Sequence, residues 1–175
     1  MKTIRLFTTL FLLIGSVQFA AAQLSIDDMV KEWERAKAYT KEYLDVMPEA
    51  SYSLKPTPEM RSFAEQMLHI TDANDGFISA ATGEKPTVKD VEKTTTDKSK
   101  ANVTKLTIDG YDFAINSIKK LTVADLQTQV KVFGRFDLSK IVTIQKAFEH
   151  QTHHRGQTTV YLRLAKATPP NEKLF

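Results

Sequence analysis

The sequence predicts an all-α fold, a four-helix bundle with a long crossover connection between helices 2 and 3. Three observations carry this. Four segments repeat apolar residues at spacings of three and four, which gathers them on one face of a helix. No stretch sustains the two-residue alternation of a half-buried sheet, and Val130 to Phe133 is the only weak strand candidate. The chain has 175 residues, enough for one domain of ordinary size.

The first segment stands outside that domain. Residues 1–22 read as a secretory signal peptide: Lys2 and Arg5 form a positive start, Leu6 to Val17 an apolar run, and Ala20-Ala21-Ala22 a small-residue cleavage site. Cleavage is expected between Ala22 and Gln23, leaving residues 23–175 as the bundle domain in the periplasm or outside the cell. The apolar run is short of the about 20 residues that span a bilayer, so no stable membrane insertion is expected once it is removed. Lys2 and Arg5 are the only charges lost with it, and the formal net charge falls from +3 to +1. A nearly neutral domain has no electrostatic footprint for nucleic acid. The absence of Cys excludes disulfides, thiolate metal ligands and a thiol nucleophile.

The first helix begins at Ser25, a plausible N-cap followed by Asp27 and Asp28, whose charges suit the positive helix end. Ile26, Met29, Val30, Trp33, Ala36, Tyr43, Leu44 and Met47 form its apolar face, and Pro48 stops it. Thr57-Pro58 reads as an N-cap with Pro at the first position of a second helix. Phe63, Met67, Ile70, Phe77, Ile78 and Ala81 follow, and Gly83 ends it. Residues 84–97 are polar and read as a long solvated connection. The third helix is expected from Asp97 or Ser99 to Lys120, with Gly110 a weak point inside it. A turn over residues 122–126 and an irregular stretch around Gly134 lead to a fourth helix from Leu138 to Ala165, closed by Pro169-Pro170.

Four histidines are the notable chemical inventory. On the fourth helix His150 and His154 are separated by one turn, about 40° apart around the axis, so both project from one face. Such a pair holds a metal ion efficiently. His153 is rotated about 60° the other way from His150. His69, on the second helix, has only Ser62, Ala73, Gly76 and Ala80 around it. Thr143 and Ala147 are likewise small beside His150, so two facing helices would leave a cavity ringed by His69, His150 and His154. Neutral nitrogen ligands suit a divalent transition metal, zinc first, nickel or iron next. Three protein ligands leave a position open to water, as catalytic sites do. Gln157 lies one turn beyond the pair as a candidate second hydrogen-bonding layer, and Tyr161 a further turn on as a candidate pocket residue. Arg155 is read as a surface or bundle-end residue. Asp75 and Glu149 project away from the histidines, and no catalytic acid or base is assigned.

These residues also carry a resemblance. Tyr52-x-Leu54-x-Pro56-Thr57-Pro58-Glu59-Met60-Arg61-Ser62-Phe63 leading into Met67-Leu68-His69-Ile70, then Glu149-His150-x-x-His153-His154-Arg155-Gly156-Gln157 and Tyr161-Leu162-Arg163-Leu164, resemble the DinB-like superfamily of metal-binding four-helix bundles. The resemblance spans nearly the whole mature chain. It implies a three-histidine metal site at His69, His150 and His154, with zinc or nickel and water, and a homodimer as a frequent assembly. It also implies kinship with thiol S-transferases and a mycothiol-dependent maleylpyruvate isomerase.

The resulting expectation is an exported metal-dependent hydrolase or transferase acting on a small molecule whose identity the sequence does not give. Low-molecular-weight thiols are cytosolic, so an exported protein needs another nucleophile, and water is the obvious one. The alternative is a non-catalytic bundle that binds metal or a small ligand.

Overall fold

A computed structural model describes residues 25–175; the expected signal peptide and its expected cleavage site lie outside the described residues. Four long helices form the bundle: α1 (Ile26–Val46), α2 (Phe63–Thr82), α3 (Lys100–Ile118) and α4 (Lys140–Leu164). Among the described residues, no helix is long and apolar enough to cross a membrane.

α1 starts as its sequence dictates, with the Ser25 hydroxyl accepting from the Asp28 amide at 3.0 Å. The start of α2 differs from expectation. Ser62, not Thr57, is the cap, in a capping box where Ser62 Oγ accepts from the Glu65 amide and a Glu65 carboxylate oxygen accepts from the Ser62 amide. Thr57-Pro58 opens a turn closed by the Met60 amide donating to the Thr57 carbonyl, and Pro suits the second position of such a turn. The chain then folds back, and the carbonyls of Leu54 and Tyr52 accept from the Phe63 and Ala64 amides. These acceptors satisfy two first-turn donors that have no partner within the helix. Gly83 ends α2 with φ +79°, as expected of a C-terminal glycine.

The direction of each helix follows from its partners. Glu34 pairs with Lys119 and Lys37 with Asp112, so α3 runs antiparallel to α1. Lys98, just before α3, pairs with Glu65 at the start of α2, while Lys120 pairs with Glu84 just past its end. Helices α2 and α3 are therefore parallel, and residues 84–99 travel the length of the bundle between them. α4 lies parallel to α1, with Trp33 against Phe148 and Tyr43 bonded to Thr159, and antiparallel to α2. The order is up-down-down-up, with the crossover where the sequence places it.

The crossover is not merely solvated. It contains a one-turn helix, Val91–Thr94, with Val91 buried. The Asp72 carboxylate accepts from the amides of Val91 and Glu92 at 2.7 and 2.9 Å. A carboxylate at exposed helix N–H groups is a charge-assisted anchor, and it fixes this turn against α2. Before α4, the expected turn is a 3-10 helix (Val123–Gln127), and a two-stranded antiparallel hairpin follows. Its strands are β1 (Gln129–Val132) and β2 (Phe136–Ser139), with Val132 opposite Phe136. Phe133 and Gly134 both have positive φ, as tight hairpin turns require. β2 has no counterpart in the sequence reading: four-residue strands are too short to display alternation.

The core is built on Trp33, Phe63, Tyr111 and Tyr161, all fully buried. Arg155 corrects the sequence reading, because it is buried inside the bundle rather than placed at its surface or end. Its guanidinium donates to Gln151 Oε1 at 2.8 Å and lies 4.5 Å from the Tyr39 ring centre.

Gly110 sits where α3 meets α2. A Cβ there would stand 2.8 Å from Thr71 Cγ2, and Thr71 is itself buried and bonded back to the Met67 carbonyl. Gly110→Ala gains about 1 kcal/mol of helix propensity, but overpacking costs about 1–3 kcal/mol. Net destabilisation of about 1 kcal/mol is expected in urea unfolding, and a more stable variant would show that α2 and α3 can separate freely.

Candidate metal centre

The antiparallel packing of α2 on α4 brings His69 together with His150 and His154, which the helix pitch stacks on one face. Their ring centres are 5.0 Å (His69 to His150), 4.5 Å (His69 to His154) and 4.3 Å (His150 to His154) apart. One ligand nitrogen from each lies within 4.8 Å of the other two, and all three residues are half-buried.

Two of the rings are oriented by partners that sequence reasoning did not identify. His69 Nδ1 meets Glu92 Oε2 at 2.8 Å, and His154 Nδ1 meets Gln66 Oε1 at 2.9 Å. A carboxylate or amide oxygen accepts from the ring N–H, which places the proton on Nδ1 and leaves the Nε2 lone pair for a metal. His150 differs: its Nδ1 is buried with no hydrogen-bond partner among the described residues. Burial first, then the neighbouring imidazoles, pulls both His150 and His154 down to about 4. Both are therefore neutral at physiological pH, the form that ligates.

Glu92 is itself held. Burial pushes its carboxyl up, but hydrogen bonds from Arg61 and His69 outweigh this and keep it below the usual carboxylate range. Arg61 Nε donates to Glu92 Oε1 at 2.6 Å, and the Arg61 carbonyl accepts from the Tyr161 hydroxyl at 2.8 Å. Gln66 Nε2 donates in turn to Tyr161 Oη at 3.3 Å and to Gln157 Oε1 at 3.2 Å. One continuous network thus joins the supports of His69 and His154.

In that network Tyr161 is fully buried, with its hydroxyl committed to Arg61 and Gln66. Gln157 reaches His154 only through Gln66, and its own amide donates to Nε2 of the exposed His153 at 2.9 Å. Glu149 pairs with Lys146 at the surface. Asp75 lies in a cleft between α2 and α3.

The cavity expected beside the small residues is partly filled. An added Cβ on Gly76 would stand 2.9 Å from the Phe133 ring, which comes from the hairpin and packs 4.8 Å from the Phe77 ring. Phe77 lies 6.2 Å from His150, so the hairpin supplies an aromatic wall on this side. Gly76 is the residue that admits it. Ser62 has a different task, capping α2.

The donor set fits a divalent transition ion: three convergent imidazoles, two held by their far nitrogens and two kept neutral by burial. Such an arrangement can bind and orient a polarisable group or a water. The only hint of Glu92 is its neighbour Val91, one of two valines in the polar run, and the structure shows that Val91 is buried while Val88 is exposed. Gln66 lies one turn before His69, a spacing the sequence does display.

Comparison with known proteins agrees with this architecture. A DinB-like protein from Bacillus cereus ATCC 10987 has 24% identity and a TM-score of 0.72, over 86% of this chain and 99% of its own. A DinB-like protein from Bacillus subtilis has 22% identity and a TM-score of 0.67, over 82% and 95%. A conserved protein from Enterococcus faecalis has 17% identity and a TM-score of 0.59, over 83% and 99%. These likenesses show the fold. No curated protein matches. The sequence matches the DinB family over residues 20–174, nearly its whole length, and the chain belongs to that family.

Proposed function

We propose that this is an exported metal-dependent hydrolase, or a transferase, acting on a small molecule, with His69, His150 and His154 holding one divalent ion, zinc first. The observation that carries the reading is the convergence of three imidazoles, two of them fixed by Glu92 and Gln66. A bound ion would supply Lewis acidity and, at neutral pH, an ionised water as nucleophile. The chain's own residues set the conditions for this. Glu92 and Gln66 hold the rings in the ligating tautomer, Arg61 and Tyr161 hold those two in place, and Phe77 with Phe133 limits access from the hairpin side. Export rests on the leader, and it favours water over a cytosolic thiol.

The alternative, a non-catalytic metal-binding bundle, draws on one observation: Glu92 is committed to His69 and Arg61 and stands behind a ligand rather than before a substrate. The two readings part at the ion's exchangeable water, which hydrolysis requires and sequestration does not.

The test is metal analysis of the untagged mature chain beside two variants. One equivalent of ion is expected in the parent and very little in His154→Ala. Glu92→Gln should keep the site but weaken it about 10–100-fold, the usual cost of losing an orienting partner. An unchanged affinity in His154→Ala would sink the proposal.

A further inference from the structure

On the far side of α2 from the histidines, a cleft of about 540 Å³ opens between α2, α3 and residues 84–91. Its volume is in the range that holds small molecules. Its lining is mixed: Val91, Leu106 and Phe113 give it an apolar part, charged residues rim it, and Asp75 lines it from α2. Asp75 is 7% exposed, and its Oδ1 is buried without any hydrogen-bond partner. Among the described residues no cation pairs with it. The other acids of the cleft are already engaged: Asp109 with Lys105, Asp112 with Lys37, and Glu84 with Lys120.

A buried carboxyl without a partner is costly, and native structures seldom keep one without a reason. We infer that the cleft is a second ligand site, separate from the histidines, which takes a small organic amine by placing its ammonium group at Asp75 and its hydrocarbon body against Val91, Leu106 and Phe113. A single unpaired carboxylate matches one ammonium, because a hard metal ion needs several oxygen ligands at once. An anion would meet Asp75 with the wrong charge. Val91, Leu106 and Phe113 favour an amine that carries a hydrocarbon body over ammonium itself, which would leave them wet.

The experiment is a titration of phenethylammonium chloride into the purified protein, followed by backbone amide NMR, with 2-phenylethanol as the uncharged control. Saturable binding with Kd near 1 mM is expected, the order a ligand of this size reaches with one charged contact. Shifts should centre on Thr71, Asp75, Leu106 and Phe113 rather than on residues around His150. Asp75→Asn should weaken binding at least about tenfold, the minimum for losing a charge-assisted contact. Leu106→Trp, which fills the cleft but keeps Asp75, should abolish it. Equal binding of the alcohol, equal binding by Asp75→Asn, shifts confined to the histidine side, or no binding at all would each overturn the inference.

Discussion

Asp75→Asn is expected to stabilise the bundle by about 2–4 kcal/mol at pH 8 and to leave it nearly unchanged at pH 3. Burial, with the Asp72 charge one turn away adding to it, pushes the Asp75 carboxyl up to about 7 from an ordinary value of 3.8. The sign follows from linkage. Below pH 3.8 the group is protonated in both folded and unfolded chains, so it costs nothing extra. As pH rises toward 7, the unfolded chain ionises freely while the folded chain resists, and stability is lost across that window. Three pH units at about 1.4 kcal/mol each set a ceiling of about 4 kcal/mol, and the cleft's opening to solvent lowers it.

The charged groups around the cleft are Asp72 on the same helix, Lys105, Asp109 and the Lys37-paired Asp112 from α3, and Glu84, Lys85 and Lys120 from the adjoining connections. Lys105 is paired with Asp109 and Lys120 with Glu84, so they offset little of the burial penalty. Asn keeps the shape and removes the charge. Urea unfolding of parent and variant at pH 3, 5, 6.5 and 8 should show a difference that widens with pH at constant m-value. A gap that is constant with pH would mean that Asp75 ionises as an exposed carboxyl does.

The same residue shows where sequence reasoning stops. Periodicity locates the four helices because each buries an apolar stripe, and helix pitch alone places His150 over His154. It also places the crossover, since a polar run of that length is more than two adjacent antiparallel helices need. What periodicity cannot register is a polar residue that faces inward. On α4 the buried set includes Thr143, Gln151, Arg155 and Thr158 beside Ile144, Ala147 and Leu162. An inward Arg therefore looks like an outward one until its partners on α1 and α3 are known. Glu92 is hidden for a related reason. Its role depends on Asp72 anchoring the one-turn helix, a contact nineteen or twenty residues away in sequence. Gly76 was legible as a gap, but only the hairpin shows that Phe133 fills it.

Gln151→Leu is expected to cost about 3–4 kcal/mol, more than Arg155→Met, although the latter removes a whole charge. Gln151 stands at the centre of the inward polar group. Its Oε1 accepts from Tyr111 Oη and from Arg155 Nη1, both at 2.8 Å. Thr40 Oγ1 lies 2.8 Å from the same Tyr111 hydroxyl, and the guanidinium rests on Tyr39. Among the described residues no carboxylate pairs with Arg155, so its charge is supported by these dipoles and by the aromatic face. Removing the amide takes the shared acceptor from a buried cation and a buried phenol, and Thr40 Oγ1, 2.8 Å from the phenol and 3.4 Å from the guanidinium, is left near both. Removing the cation instead leaves Gln151 still bonded to Tyr111, while Met fills much of the space with an apolar chain. Replacing a buried charge by a well-packed apolar residue is often nearly neutral, whereas stripping its partner is not. Arg155→Met should therefore lie within about 1–2 kcal/mol of the parent. The order of the two urea midpoints decides the matter, and a Gln151→Leu variant more stable than Arg155→Met would show that the guanidinium reaches solvent and never depended on the bundle's interior.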